Sequence, residues 1–237
     1  MASRKNHTLK LAGILLALVL VTSCFVGGTF AKYVTEGTGS DSARVAKFGV
    51  TVTANGTMFA KEYDTDTENV KKLIARSVIS SNDKEKVVAP GTSGKMVSMT
   101  LAGTPEVAVN VRYKATVKLD NWVYKAGENA AEEFYCPIKI RVGKVNYYGC
   151  GYKTPDLFKN AVETAINEYS NNYAPGTDLT NLTNDKAPDV SWAWAFEDTT
   201  SSAEQTNEKD TYLGDQAAKG KAATISLEVV TTVTQID

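Results

Sequence analysis

The stretch EVAVNVRYKATVKL, Glu106–Leu119, decides the fold class. Its odd positions are Val107, Val109, Val111, Tyr113, Ala115, Val117 and Leu119, and its even positions are Glu106, Ala108, Asn110, Arg112, Lys114, Thr116 and Lys118. Successive side chains of a strand point to opposite faces, so a two-residue period over this length describes a strand with one apolar and one charged face. Such a strand belongs in an antiparallel sheet with one side on a core and the other in water. An amphipathic helix would need apolar residues recurring at three and four, and they do not. A strand of this kind is not stable alone, so the rest of the chain must supply its partners.

Further strands are predicted on both sides. Phe48, Val50 and Val52 alternate with Lys47, Gly49 and Thr51, and Asn55-Gly56 is a hairpin turn leading to a return strand at Met58–Tyr63. Asp64–Glu68 is an acidic loop, and Lys72–Ser80 a further strand. Pro90-Gly91 turns the chain into a strand at Lys95–Leu101, and residues 126–133 suit a short helical turn. Ile138, Ile140 and Val142 alternate, and Gly143-Lys144 turns the chain into Val145–Tyr148. Val190, Trp192, Trp194 and Phe196 form an aromatic strand, and Thr224–Gln235 closes the fold with Ile225, Leu227, Val229 and Val233 inward. Thr154-Pro155-Asp156 is a helix start: a hydroxyl cap, proline at the first position and an acid near the positive end of the dipole. Leu157, Phe158, Ala161, Val162, Ala165, Ile166 and Tyr169 then recur at helical spacing, giving one amphipathic helix over about 154–170 within an insertion. Asn171–Pro188 and Glu197–Lys209 read as loops. The pattern specifies an all-β antiparallel sandwich.

The chain has 237 residues, 22% charged and 43% hydrophobic, with a formal net charge of -1. That is a globular composition without the basic surplus that nucleic-acid binding requires. Residues 1–31 carry Arg4, Lys5 and Lys10 and no acid, followed by an apolar run from Leu11 to Val21 and the small-residue end Thr29-Phe30-Ala31. This is the build of a secretory signal peptide, and its apolar run falls short of the roughly 18 residues of a membrane span. Cleavage is expected between Ala31 and Lys32, with membrane contact only through the uncleaved signal. A second reading stays open: Val21-Thr22-Ser23-Cys24 is similar to a lipobox, in which Cys24 would be lipidated. The domain plan is a signal peptide at 1–31, an N-terminal strand and flexible tether at 32–47, and the sandwich at 48–237. Lys32–Glu36 is the strand-prone piece, and the Gly- and Ser-rich residues Gly37–Ser42 supply the reach.

Residues Gly27–Val50, GGTFAKYVTEGTGSDSARVAKFGV, resemble the start of the TasA/camelysin family of secreted bacterial proteins. Ala89-Pro90-Gly91-Thr92-Ser93-Gly94, Gly103-Thr104-Pro105-Glu106-Val107 and the closing Thr234-Gln235-Ile236-Asp237 extend the likeness. The insertion from Tyr152 to Asn184 departs from it. The resemblance implies a jelly roll exported by a Gram-positive bacterium, cut by the dedicated signal peptidase SipW just after Ala31, and a structural protein of the biofilm matrix. It implies self-association, or association with a related matrix subunit, through a donor strand formed by Lys32, Tyr33, Val34, Thr35 and Glu36.

Camelysin-like proteins are often described as metalloendopeptidases. That activity needs two histidines one helical turn apart with a glutamate between them. The only histidine is His7, inside the signal segment, so neither a zincin motif nor a Ser/His/Asp or Cys/His triad can be assembled after cleavage. No catalytic residue, metal ligand set or cofactor is assigned. Cys136 and Cys150 flank the predicted hairpin, and export permits disulfides; closing a loop of this length would contribute roughly 3 kcal/mol. Asp198, Glu204, Glu208, Asp210 and Asp215 form an acidic stretch with no EF-hand spacing, read as a solvated loop. Trp192, Trp194 and Phe196 share a face and are read as core rather than as a sugar platform. The function expected is a self-assembling matrix protein. The alternatives are a surface-attached binding protein for carbohydrate or host protein, and the less favoured endopeptidase.

Overall fold

The computed structural model describes residues 34–37, 42–45, 50–53, 58–64, 75–82, 84–96, 100–181, 186–196 and 207–236. The cleavage site at Ala31 and Lys32, Tyr33 of the donor segment, most of the glycine-rich tether, the Asn55-Gly56 turn, and Asp198 and Glu204 lie outside these residues.

The described strands are β1 (Val34–Gly37), β2 (Ser42–Val45), β3 (Val50–Thr53), β4 (Glu62–Asp64), β5 (Arg76–Ile79), β6 (Thr92–Lys95), β7 (Thr100–Ala102), β8 (Val109–Asp120), β9 (Val123–Tyr124), β10 (Glu133–Phe134), β11 (Ile138–Val142), β12 (Val145–Tyr148), β13 (Ser170–Tyr173), β14 (Val190–Trp194) and β15 (Thr224–Gln235). Two helices accompany them, α1 (Pro155–Asn167) and α2 (Asn207–Ala218). The main sheets are antiparallel, one in the order β1-β15-β8-β13 and the other in the order β12-β11-β14-β6. β2-β3-β7, β9-β10 and β4-β5 form smaller antiparallel pieces. This is the expected all-β, antiparallel class.

β8 is the predicted central strand. Val109, Val111, Tyr113, Ala115 and Val117 are buried, while Arg112, Lys114, Thr116 and Lys118 face water. It pairs along its whole length with β15, from Thr224 opposite Asp120 to Gln235 opposite Val109. The buried faces of both four-stranded sheets contribute to one apolar cluster. Val109, Val111, Val229 and Val233 come from the first sheet, and Ile138, Ile140, Val190 and Trp192 from the second.

Three local readings are corrected. β3 pairs with β2 and β7, not with the residues after the Asn55-Gly56 turn; β4 pairs with β5 instead. The predicted return strand at Met58–Tyr63 therefore shrinks to its last residues. Residues 171–173, read as the start of a loop, form edge strand β13 on β8 together with Ser170, where the helix was expected to end. Residues 207–215, read as a polar and acidic loop, lie in helix α2.

α1 begins as predicted. Thr154 caps it, its Oγ1 accepting from the Leu157 amide at 3.3 Å, with proline at the first turn and Asp156 beside it. Phe158, Val162 and Ile166 are fully buried at four-residue spacing, while Leu157, expected on that face, is 53% exposed.

Candidate functional site

The candidate site is the outer rim of β15. β1 lies on it in antiparallel register, with Val34 opposite Thr234, Thr35 opposite Val233, Glu36 opposite Thr232 and Gly37 opposite Thr231. So the described part of the expected donor strand, Val34, Thr35 and Glu36, sits on a sheet edge of its own chain. β1 spans 4 residues and β15 spans 12. Along Thr224–Val230 no other described strand pairs with this rim. Strand N–H and C=O groups left this way are a template for another chain.

Next to the free stretch of β15 lies a groove of about 780 Å³. Its walls include Met58, Phe59, Trp122, Trp194, Leu213 and Leu227. Trp122 and Trp194 pack with ring centroids 5.8 Å apart. Each indole is satisfied: Trp122 Nε1 donates to Thr224 O at 2.7 Å, Trp192 Nε1 to Met58 O at 2.7 Å and Trp194 Nε1 to Asp210 Oδ2 at 3.1 Å. Trp192 and Trp194 are therefore core, as read from the sequence, whereas Phe196 is 69% exposed. Gly94 makes this packing possible, since a Cβ there would lie 2.6 Å from Trp192 Nε1 and would strike the Met58 carbonyl.

Asp210 is the one buried acid among the described residues, and sequence reasoning had placed it in a solvated loop. α2 turns it inward, where Oδ1 accepts from the Tyr135 hydroxyl at 2.6 Å. Burial raises its pKa above the usual carboxylate value, and the bonds from Tyr135 and Trp194 pull it part of the way back. Two neutral donors hold this carboxylate as a structural strut between α2, β14 and the segment before β11. Among the described residues, no group of three or more His, Cys, Asp or Glu side chains is placed to hold a metal ion.

The opposite rim of the same sheet is closed. β13 covers β8 from Val109 to Arg112. Asn110 Nδ2 anchors β13, donating to Asn172 Oδ1 at 2.6 Å and to Ser170 Oγ at 3.2 Å. Beyond β13, α1 takes over with side chains. The Ala115 amide donates to Asn167 Oδ1 at 2.7 Å and the Val117 amide to Glu163 Oε1 at 2.7 Å.

Cys136 and Cys150, the pair expected to form a disulfide, are both free thiols in this structure. They are nonetheless in contact, Cys150 Sγ donating to the Cys136 carbonyl at 3.1 Å. The β11–β12 hairpin brings them together, as the sequence suggested, because Lys139 pairs with Tyr148 just inside them. Burial raises both thiol pKa values, so both are mostly protonated near neutrality.

Comparison with protein-family models, with curated proteins and with solved structures returns no match.

Proposed function

We propose that the chain is a secreted structural protein of the extracellular matrix, a jelly roll in topology, that assembles into fibres by exchange of its N-terminal strand. The observation that carries this reading is the position of β1: a 4-residue strand on the rim of β15, joined to the body through residues 38–41. A strand this short gains few contacts from its own chain, and an identical copy offers the same partner residues. Exchange of such an element between copies is domain swapping, and head-to-tail exchange that does not close builds a filament. The free rim along Thr224–Val230 gives an incoming segment room to extend the pairing beyond β1. The resemblance to the TasA/camelysin family around Gly27–Val50 supports the same reading, as do the signal-like residues 1–31, whose removal would free the strand. Partners are other copies or a related subunit, with a signal peptidase acting first.

A second reading, a surface protein that binds a ligand, is favoured by the groove of about 780 Å³ beside β15. One experiment separates the two. Mature protein beginning at Lys32 should form fibres visible by electron microscopy, and protein lacking Lys32–Glu36 should remain a folded monomer. Fibres from the truncated protein, or a monomeric full mature protein at high concentration, would defeat the exchange mechanism.

A further inference from the structure

We propose that Cys136 and Cys150 are a redox pair with fixed roles, in which Cys150 attacks a small-molecule disulfide and Cys136 then resolves the adduct into an internal cross-link. This rests on the geometry of the hairpin and not on the fibre reading.

Cys136 precedes β11, and Cys150 follows β12 in the 3-10 turn Gly149–Gly151. The approach of the two segments is close enough that position 149 admits only glycine. A Cβ there would lie 2.8 Å from Cys136 Cβ and 2.9 Å from Cys136 Sγ. Cys150, one residue on, directs its thiol onto the Cys136 backbone. Burial separates their roles. Cys136 is 0% exposed, while Cys150 is partly exposed, so an external reagent reaches Cys150 and not its partner. The groups that act electrostatically on the Cys150 thiol are Asp210, which raises its pKa, and Lys209, which lowers it, both on α2.

The step balances without metal or cofactor. The Cys150 thiolate attacks one sulfur of RS–SR, forming Cys150–S–SR and expelling RS⁻. The Cys136 thiolate attacks Cys150 Sγ, forming Cys136–Cys150 and expelling the second RS⁻. Both protein protons end on the two RSH molecules; the small disulfide is reduced and the protein oxidised. Because only the thiolate attacks, and burial pushes the Cys150 pKa up to about 12, the native rate should climb about tenfold per pH unit from pH 7 to 9.

The test uses the reduced full-length chain with glutathione disulfide, quenched by acid and mapped by peptide mass spectrometry, which also separates Cys24 from the pair. Wild type should pass through a glutathione adduct on Cys150 and finish as Cys136–Cys150. Cys136→Ser should stop at the Cys150 adduct. Cys150→Ser should leave Cys136 unmodified in buffer and modified in 8 M urea. The wild-type time course decides the matter even if a variant misfolds. A first adduct on Cys136, a persistent Cys150 adduct without a cross-link, or a rate flat between pH 7 and 9 would each overturn the assignment.

Discussion

Removing the two α1 side chains that close the rim of β8 should destabilise the fold and uncover a second sticky edge. Glu163 Oε1 and Asn167 Oδ1 each accept a β8 amide at 2.7 Å. The residues they serve, Val117 and Ala115, are 3% and 4% exposed, so little water can replace a lost acceptor. Leaving a buried N–H without a partner costs about 1–3 kcal/mol. Alanine returns a few tenths of a kcal/mol through its higher helix propensity. Glu163→Ala and Asn167→Ala should therefore each lose about 1–2 kcal/mol, or roughly 2–8 °C in Tm for a domain of this size. Glu163→Gln keeps an oxygen on the amide and should lose under about 1 kcal/mol. The two sites lie one helical turn apart on the same edge, so the double variant need not be additive. Urea unfolding gives the stabilities, and light scattering of the native variants reports lateral association through the bared edge. If both alanine variants unfold within about 0.5 kcal/mol of wild type, or if Glu163→Gln is as damaging as Glu163→Ala, side-chain closure of this rim is wrong.

Three further outcomes are expected. Asp210 has a raised pKa in the folded state, so the folded chain holds its proton more tightly; stability should fall as pH rises from the unfolded value near 3.8 through the folded one. Thermal unfolding of Asp210→Asn across pH 3–7 should lack that component, and an unchanged pH profile would contradict it. Gly94→Ala should cost at least about 1 kcal/mol, since the new methyl meets the Met58 carbonyl and Trp192 Nε1; a wild-type melting curve would refute the close approach. Purified mature protein should cleave no protein substrate in a chelator-sensitive way, because no imidazole follows His7. Proteolysis abolished by chelator and restored by zinc would reverse that reading.

The parts of the fold that were legible in the sequence are those whose side chains feel two different solvents. β8 alternates because its odd positions meet the core and its even positions meet water, and α1 carries both a cap and a buried stripe. β13 was missed because Ser170-Asn171-Asn172-Tyr173 has no alternation; its place comes from the Asn110 side chain and from the edge it covers. α2 was missed because Asp210 and Leu213 are its only buried residues, too few to print a helical period on a polar segment. The Asn55-Gly56 turn is locally sound chemistry, but the strands beside it do not pair with each other: β3 takes β2 and β7, and β4 takes β5. The strand character of residues 34–36 was likewise local and readable. Its partner in β15 lies some two hundred residues away and leaves no trace in either segment alone. For the cysteines, spacing around a hairpin foretold proximity, whereas oxidation state depends on the surrounding medium.

The stoppered rim of β8 has a consequence for any polymer this subunit builds. With the β8 rim at Ala115 and Val117 closed by Glu163 and Asn167 and the other flank receptive along β15, links made through β15 all have the same sense. Such a polymer is polar, and its subunits do not pair sheets through the part of β8 that Glu163 and Asn167 cover. It is also open to poisoning. A copy without residues 32–36 keeps its receptive flank but has no arm to offer, so it can join a growing end and stop it. A small admixture of that truncated copy should shorten every fibre in the mixture, and the length distribution would register how many had been incorporated.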